Sequence, residues 1–206
     1  MPGKAKVIPF PAAGGALELK VTLLEIRPAI WRRLRVPGSL TLRELHHVMQ
    51  IAVGWTDSHL HEFEIDGRRY GMLAPDGDEF GEPPLDEREF TLGAVVRPGA
   101  RFEYAYDFGD DWKHQIIVEK SPGGQATGCL DGERAAPPED CGGPLGYARL
   151  LEVLAQPRHP EHRDLHNWVG PHFDPERLDL AAINRALRGA GTAAFRRKRE
   201  QFYDGA

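Results

Sequence analysis

The 206-residue sequence has only 2 cysteines, a net charge of just −5 from 26 basic and 31 acidic groups, and no apolar run longer than a few residues. Each shortage excludes something. A membrane span needs roughly 20 consecutive apolar residues, and none is present. The opening Met1-Pro2-Gly3-Lys4-Ala5-Lys6 lacks the apolar core of a secretory signal, so a cytoplasmic protein with no membrane association is expected. Cys129 and Cys141 are too few for a disulfide framework, and the eleven residues between them do not match the short spacing of a zinc ribbon. No Walker A sequence, dinucleotide fingerprint or nucleophile elbow occurs. Asp107-Phe108-Gly109 copies a kinase tripeptide with nothing else of that set around it.

What is present is enough for a core. A chain 41% hydrophobic and 28% charged is not a disordered one, and its length suits a single domain. Composition divides it into a Pro, Gly and Ala-rich leader at 1–16, a domain over 17–188 and a basic tail at 189–206. Charge is uneven: residues 1–60 carry +4, residues 61–147 carry −11 and residues 148–206 carry +2. A pI near 6.0 opposes a DNA-binding surface. Two local basic stretches remain: Arg27 with Arg32, Arg33 and Arg35, and Arg196 to Arg199.

Alternation predicts strands at Leu17–Leu23, with Leu17, Leu19, Val21 and Leu23 on one face, and at Ile30–Val36, with Ile30, Arg32, Leu34 and Val36 on one face. At least two arginines of the second strand must then face solvent or be paired. Thr41 and Glu44 form a capping box for a helix ending before Gly54, with His46 half-buried at the margin of its apolar stripe and His47 exposed. A strand from His59 to Ile65 turns at Asp66-Gly67 into a return strand at 68–70. Residues 74–89 predict a long exposed acidic loop. A hairpin follows, in which Phe102, Tyr104, Tyr106 and Phe108 share a buried face with Trp112, His114, Ile116 and Val118. Residues 121–144 are glycine and proline rich and predict irregular structure. Three helices carry the stripes Tyr147/Leu150/Leu151/Leu154, Leu165/Trp168/Val169 and Leu180/Ile183/Leu187, the last opened by Asp174-Pro175. The expected class is α+β, a largely antiparallel sheet with one early helix and a C-terminal group of helices.

Histidines and aspartates offer the chemistry. His59, His61, Asp110, Asp111 and His114 are the candidate metal ligands, because imidazole and carboxylate suit divalent ions, and such an ion is the cofactor this set admits. Glu62, as a base beside them, points to the opposite face from His61. Satisfied core histidines and ordinary turn aspartates explain the same residues. His162 and His166 are spaced to share a helical face but lack the glutamate that marks a metalloprotease helix. Arg27, Trp31, Arg32, Arg33, Trp55, Asp57, His59, Asp107, Asp110, Asp111 and Trp112 are the candidate binding residues.

Several segments together resemble the plasmid pRiA4b ORF-3-like family: Ile26-Arg27-Pro28-Ala29-Ile30-Trp31-Arg32-Arg33, Thr41-Leu42 through Trp55-Thr56-Asp57-Ser58-His59-Leu60-His61-Glu62-Phe63, Tyr104 to Trp112, and Pro137-Pro138-Glu139-Asp140-Cys141-Gly142-Gly143. The resemblance covers residues 17–188 and implies an α+β fold and an association with plasmids or insertion sequences. Ala136 stands where the family pattern often has a further cysteine. The resolvase-type label carried by some members finds no nucleophile or helix-turn-helix here. The expectation is a non-catalytic cytoplasmic binding or accessory module centred where the Trp55–His61 segment meets the Asp107–His114 hairpin. The alternative is a metal-dependent hydrolase or nuclease, and DNA is the one macromolecular partner weighed.

Overall fold

The computed structural model describes residues 15–73, 82–119 and 127–190; the leader up to residue 14, part of the acidic loop and the tail from 191 lie outside them. The elements are β1 (Ala16–Leu23), β2 (Trp31–Pro37), α1 (Leu42–Val53), β3 (His61–Ile65), β4 (Arg68–Gly71), β5 (Leu85–Asp86), α2 (Leu92–Val95), β6 (Arg101–Tyr106), β7 (Trp112–Glu119), β8 (Gly128–Glu133), α3 (Gly143–Leu154), α4 (His162–Val169) and α5 (Leu180–Ala190). The strands form one sheet in the order β5-β4-β3-β6-β7-β1-β2-β8. Every pairing is antiparallel except β4 with the two-residue β5. The fold is α+β, as expected, although a short helix, α2, sits between strands.

Period-two patterning decides which face of the sheet is covered. Leu17, Leu19, Val21 and Leu23 of β1 and Leu34 and Val36 of β2 are buried, and Leu42, Leu45, Val48, Met49 and Ala52 of α1 join the same core. The capping box of α1 forms on both sides, Thr41 accepting from Glu44 and Glu44 from Thr41, and Gly54 ends the helix at φ 96°.

The opposite face is a ladder of charges. Arg33 pairs with Glu119 at 2.9 Å across β1, and Arg35 with Glu18 at 2.6 Å. Lys20 and Arg33 both lie over the Trp31 ring. Arg32 points the other way and is 3% exposed. It donates to the carbonyls of Ala52, Trp31 and Glu133, tying the last turn of α1 to β2 and β8. Burial holds its guanidinium below the usual arginine range.

Several elements depart from expectation. Strand β3 begins at His61, so His59 lies outside it. The expected exposed acidic loop contains β5 and the fully buried Glu87; its residues 74–81 lie outside the described residues. Cysteine-bearing residues 128–133 form an edge strand instead of irregular backbone, because the side chain of Asn184 in α5 donates to the Cys129 carbonyl and accepts from its N–H, satisfying backbone that an open edge would leave bare. Phe108 is 57% exposed, because Asp107 takes φ 57° and turns the chain before the alternation can continue. Helix α5 starts at Leu180: the Pro175 carbonyl accepts from Ala135, which holds that stretch out of a helix, and Asp179 supplies the cap to Ala182.

Candidate functional site

Three loops converge at one end of the sheet. They are the Trp55–Leu60 segment after α1, the Asp107–Asp111 turn between β6 and β7, and the Pro137–Gly142 segment before α3. Trp55 stacks on Tyr106 at 4.9 Å between ring centres, and its indole N–H donates to the Pro137 carbonyl. The Tyr106 hydroxyl donates to Glu139 at 2.6 Å and accepts from the Ser58 N–H. The other Glu139 oxygen accepts from the N–H and hydroxyl of Thr56. Asp110 accepts from the Gly142 N–H, joining the turn to α3. Burial and the bond to Glu139 push the Tyr106 phenol well above its ordinary range, so it stays a donor.

Beneath these loops lies a closed hydrogen-bond ring. His46 reaches Asp57 through Nε2 at 2.6 Å and the Tyr104 hydroxyl through Nδ1 at 2.7 Å. Gln50 donates to the same hydroxyl, and its carbonyl oxygen accepts from the Asp57 N–H. A carboxylate only accepts, so Nε2 carries the proton and Nδ1 accepts from Tyr104. Burial, reinforced by His61 and His47, holds the His46 imidazole well below its ordinary value, and burial raises the Tyr104 phenol. His46 is therefore fully buried, not half-buried, and His47 is partly covered, with its Nε2 3.7 Å from Asp57.

His61 stacks face to face on His46 at 3.5 Å and bonds Glu87 at 2.7 Å through Nε2. Burial works to raise the Glu87 carboxyl, yet the bond and charge of His61, with His46 and Arg43, hold it below its ordinary value.

The residues expected to share a metal are placed apart. His61 engages Glu87, Asp110 engages Gly142, Asp111 pairs with Lys113 at 2.6 Å, and His114 is buried between Trp55 and Tyr104. Two other triads bring ligand atoms within 4.8 Å: His46 with Asp57 and His61, and His59 with Asp107 and Asp140. In the second, the Nε2 of the partly exposed His59 lies 3.2 Å from Asp140 and 3.6 Å from Asp107. Of the expected binding residues, Trp55, Asp57, His59, Asp107, Asp110, Asp111 and Trp112 meet at this end. Trp31, Arg32 and Arg33 lie on β2, engaged as described, and Arg27 is exposed in the turn before it.

Sequence reasoning missed His46, Tyr104, Glu87, Glu139 and Asp140 as members of the site. Glu139 and Asp140 sit in a motif that was visible, while Glu87 had no local signal at all. His162 and His166 stack on each other on the outer face of α4. Both cysteines are free thiols. Burial, with Asp110 next, pushes Cys141 up to about 12, and burial raises Cys129, so both thiols stay protonated at neutral pH.

Exposed apolar side chains flank the polar mouth: Leu60 and Phe108 directly follow His59 and Asp107, and Leu145 and Trp168 are exposed on α3 and α4. A shallow cavity of about 300 Å³ beside Trp168 is lined by Asp140, Cys141, Arg149, Leu150, Leu165 and Trp168. A larger cavity of about 810 Å³, lined by Leu17, Ile65, Tyr70, Val95 and Val96 among others, is far from this chemistry, and its described lining holds no candidate site residue. No helix among the described residues is long and apolar enough to cross a membrane.

The chain is similar to known proteins. An uncharacterised protein, y4hQ, of Sinorhizobium fredii is 40% identical over 177 residues, 83% of this chain and 90% of that protein. The crystal structure of MM3350 from Methanosarcina mazei Go1, titled a protein of unknown function, superposes with a TM-score of 0.72 at 36% identity, covering 81% of this chain and 96% of that one. The family model described as plasmid pRiA4b ORF-3-like protein matches residues 15–182. The motifs that build the mouth, from Trp55 through Gly143, lie inside that match, and the chain belongs to the plasmid pRiA4b ORF-3-like family.

Proposed function

We propose that this chain is a non-catalytic binding module, acting in the cytoplasm as an accessory product of a plasmid or mobile element. Its site is the mouth formed by the Trp55–Leu60, Asp107–Asp111 and Pro137–Gly142 loops. The observation that carries this reading is that exposed Leu60 and Phe108 directly follow His59 and Asp107, while exposed Trp168 lines the same cavity as Asp140. Apolar area beside a fixed polar centre is the layout of a recognition surface, in which burial supplies affinity and the polar group supplies register. The occupant is a partner segment with apolar or aromatic anchors and no acidic excess, since Asp107, Asp110, Asp111 and Asp140 would repel one.

The ionisable groups nearby are held in inert forms: Cys141 as thiol, Tyr106 as phenol and His46 as neutral imidazole. The arginines of β2 are engaged within the fold, which counts against a free basic stripe for a nucleic-acid partner; the stretch 196–199 lies outside the described residues.

Selection from a random peptide display library tests the reading. Wild-type protein should enrich peptides with aromatic or aliphatic anchors, and the double variant Phe108→Ser with Trp168→Ser should lose that enrichment while keeping its melting temperature. No enrichment, or enrichment untouched by the double variant, refutes it. So does turnover in a hydrolase and nuclease panel that His59→Ala abolishes without lowering stability.

A further inference from the structure

We infer that His59, Asp107 and Asp140 form a binding site for a single divalent transition-metal ion, which sits at the mouth and ties its three loops together. The inference rests on reading this mouth as a binding site and names what its polar centre holds.

Distances separate the two triads. A charge-assisted N–H···O bond closes to roughly 2.7–2.9 Å. Two ligand atoms each roughly 2.0–2.2 Å from one ion stand apart by the chord of the coordination angle, roughly 3–3.5 Å. In the inner triad His46 Nε2 and Asp57 are 2.6 Å apart, a hydrogen bond with its proton in place. The rings of His46 and His61 are also parallel within 4° at 3.5 Å, so no ion can lie in the plane of both. The inner group is a hydrogen-bonded support.

The outer triad differs on each point. His59 Nε2 stands 3.2 Å from Asp140 and 3.6 Å from Asp107, beyond a charged hydrogen bond and near the ligand–ligand chord. That nitrogen is shielded from solvent yet makes no hydrogen bond, although two carboxylates stand within 3.6 Å of it. An imidazolium resting on an acid would close on one oxygen. The supporting contacts suit a ligand set too. Asp107 uses one oxygen to accept from the N–H groups of Gly109 and Asp110, which fixes the carboxylate and leaves the other facing His59. Asp140 is the exposed member, so the open side of the site faces the mouth, where water or a donor atom of the partner can complete the coordination.

One imidazole nitrogen and two carboxylate oxygens are a borderline-to-hard set, suited to zinc, manganese or cobalt over copper(I). Because each ligand comes from a different loop, a bound ion also joins segments otherwise linked by hydrogen bonds to the Glu139 and Asp110 carboxylates. Metal should therefore raise stability by linkage.

Full-length protein is stripped with chelator, and binding of Zn²⁺, Mn²⁺ and Co²⁺ is followed by calorimetry and thermal unfolding. One ion per chain is expected, with a rise in melting temperature. His59→Ala and Asp140→Asn should each weaken binding by more than the roughly 10–100-fold that a supporting residue costs. His162→Ala with His166→Ala, which removes the stacked histidine pair of α4, should change nothing. Absence of binding for all three ions overturns the inference, as does binding that survives His59→Ala or vanishes with the α4 pair. The peptide selection reports on the apolar rim and the titration on the metal cluster, so a failure of one is told apart from a failure of the other.

Discussion

Replacing His114 by phenylalanine should remove a definable part of the protein's acid sensitivity. The side chain is 1% exposed, wedged between Trp55 and Tyr104. Its Nδ1 makes only a 3.4 Å contact with the Tyr104 carbonyl, and its Nε2 has no partner. Burial penalises the imidazolium and lowers the pKa from 6.5 to about 4, against a smaller opposing effect of the Tyr104 and Trp112 backbone. At pH 8 the ring is neutral in both the folded and unfolded chain. As pH falls below the unfolded value, the unfolded chain takes a proton that the folded one refuses, so stability drops. With those two pKa values the loss is about 2 kcal/mol by pH 5 and about 3 kcal/mol by pH 4. The assay is urea unfolding of wild type and His114→Phe at pH 8 and pH 5, with His114→Gln as a second non-titrating variant. His46 contributes acid sensitivity to all three proteins and cancels in the comparison. The variants should lose about 2 kcal/mol less than wild type between the two pH values, whatever their starting stability. An equal loss would mean that the folded protein accommodates the charged ring, and the burial argument would be wrong.

Three further outcomes follow from the same contacts. Glu87→Ala leaves His61 and Arg43 without their buried acceptor and should cost about 3–5 kcal/mol, a fall of roughly 6–20 °C in melting temperature by calorimetry. Because the Glu87 carboxyl is held below its ordinary value, its contribution is present above the ordinary carboxylate range and fades as pH falls through the folded value; a gap from wild type that widens in acid would contradict this. Gly143→Ala, at φ 67° with its new methyl driven into the Asp110 carbonyl, should cost about 1–3 kcal/mol in urea and part α3 from the Asp107–Asp111 turn; a neutral result would show that this junction is loose. Thr41→Ala breaks the capping box of α1 and should cost about 1 kcal/mol in urea unfolding, with no effect on metal or peptide binding.

Local rules made much of the fold legible. The alternation in Leu17–Leu23 and Phe102–Val118, the Asp66-Gly67 turn, the capping box at Thr41 and the stripes of α1 and α3 each express a relation between residues a few positions apart, and those relations survive in the structure, whereas the α4 stripe leaves Trp168 exposed. Where alternation failed, a backbone angle intervened, as at Asp107. The partnership between the arginines and acids was foreseeable in kind from the opposite charges of the first two segments. Its members were not, since Arg33 finds Glu119 only because β7 lies beside β1.

The candidate site was legible in parts and not as a whole. Trp55, His59, Asp107 and Asp110 stood out, because aromatic and polar residues crowd short loops there. Grouping His59 with His61, Asp110, Asp111 and His114 followed residue type and the expected meeting of two segments, which leaves open the carboxylate each imidazole faces. Tertiary structure chose otherwise: His59 meets Asp140 from 81 positions away, and His61 meets Glu87 from a stretch that reads as a solvated loop. Sequence by itself determined the α+β class, the apolar face of each strand and the residue types available for chemistry, since those depend on periodicity and composition. Only the tertiary structure decided which carboxylate faces which imidazole. That depends on strand order and loop closure, and no local pattern encodes either.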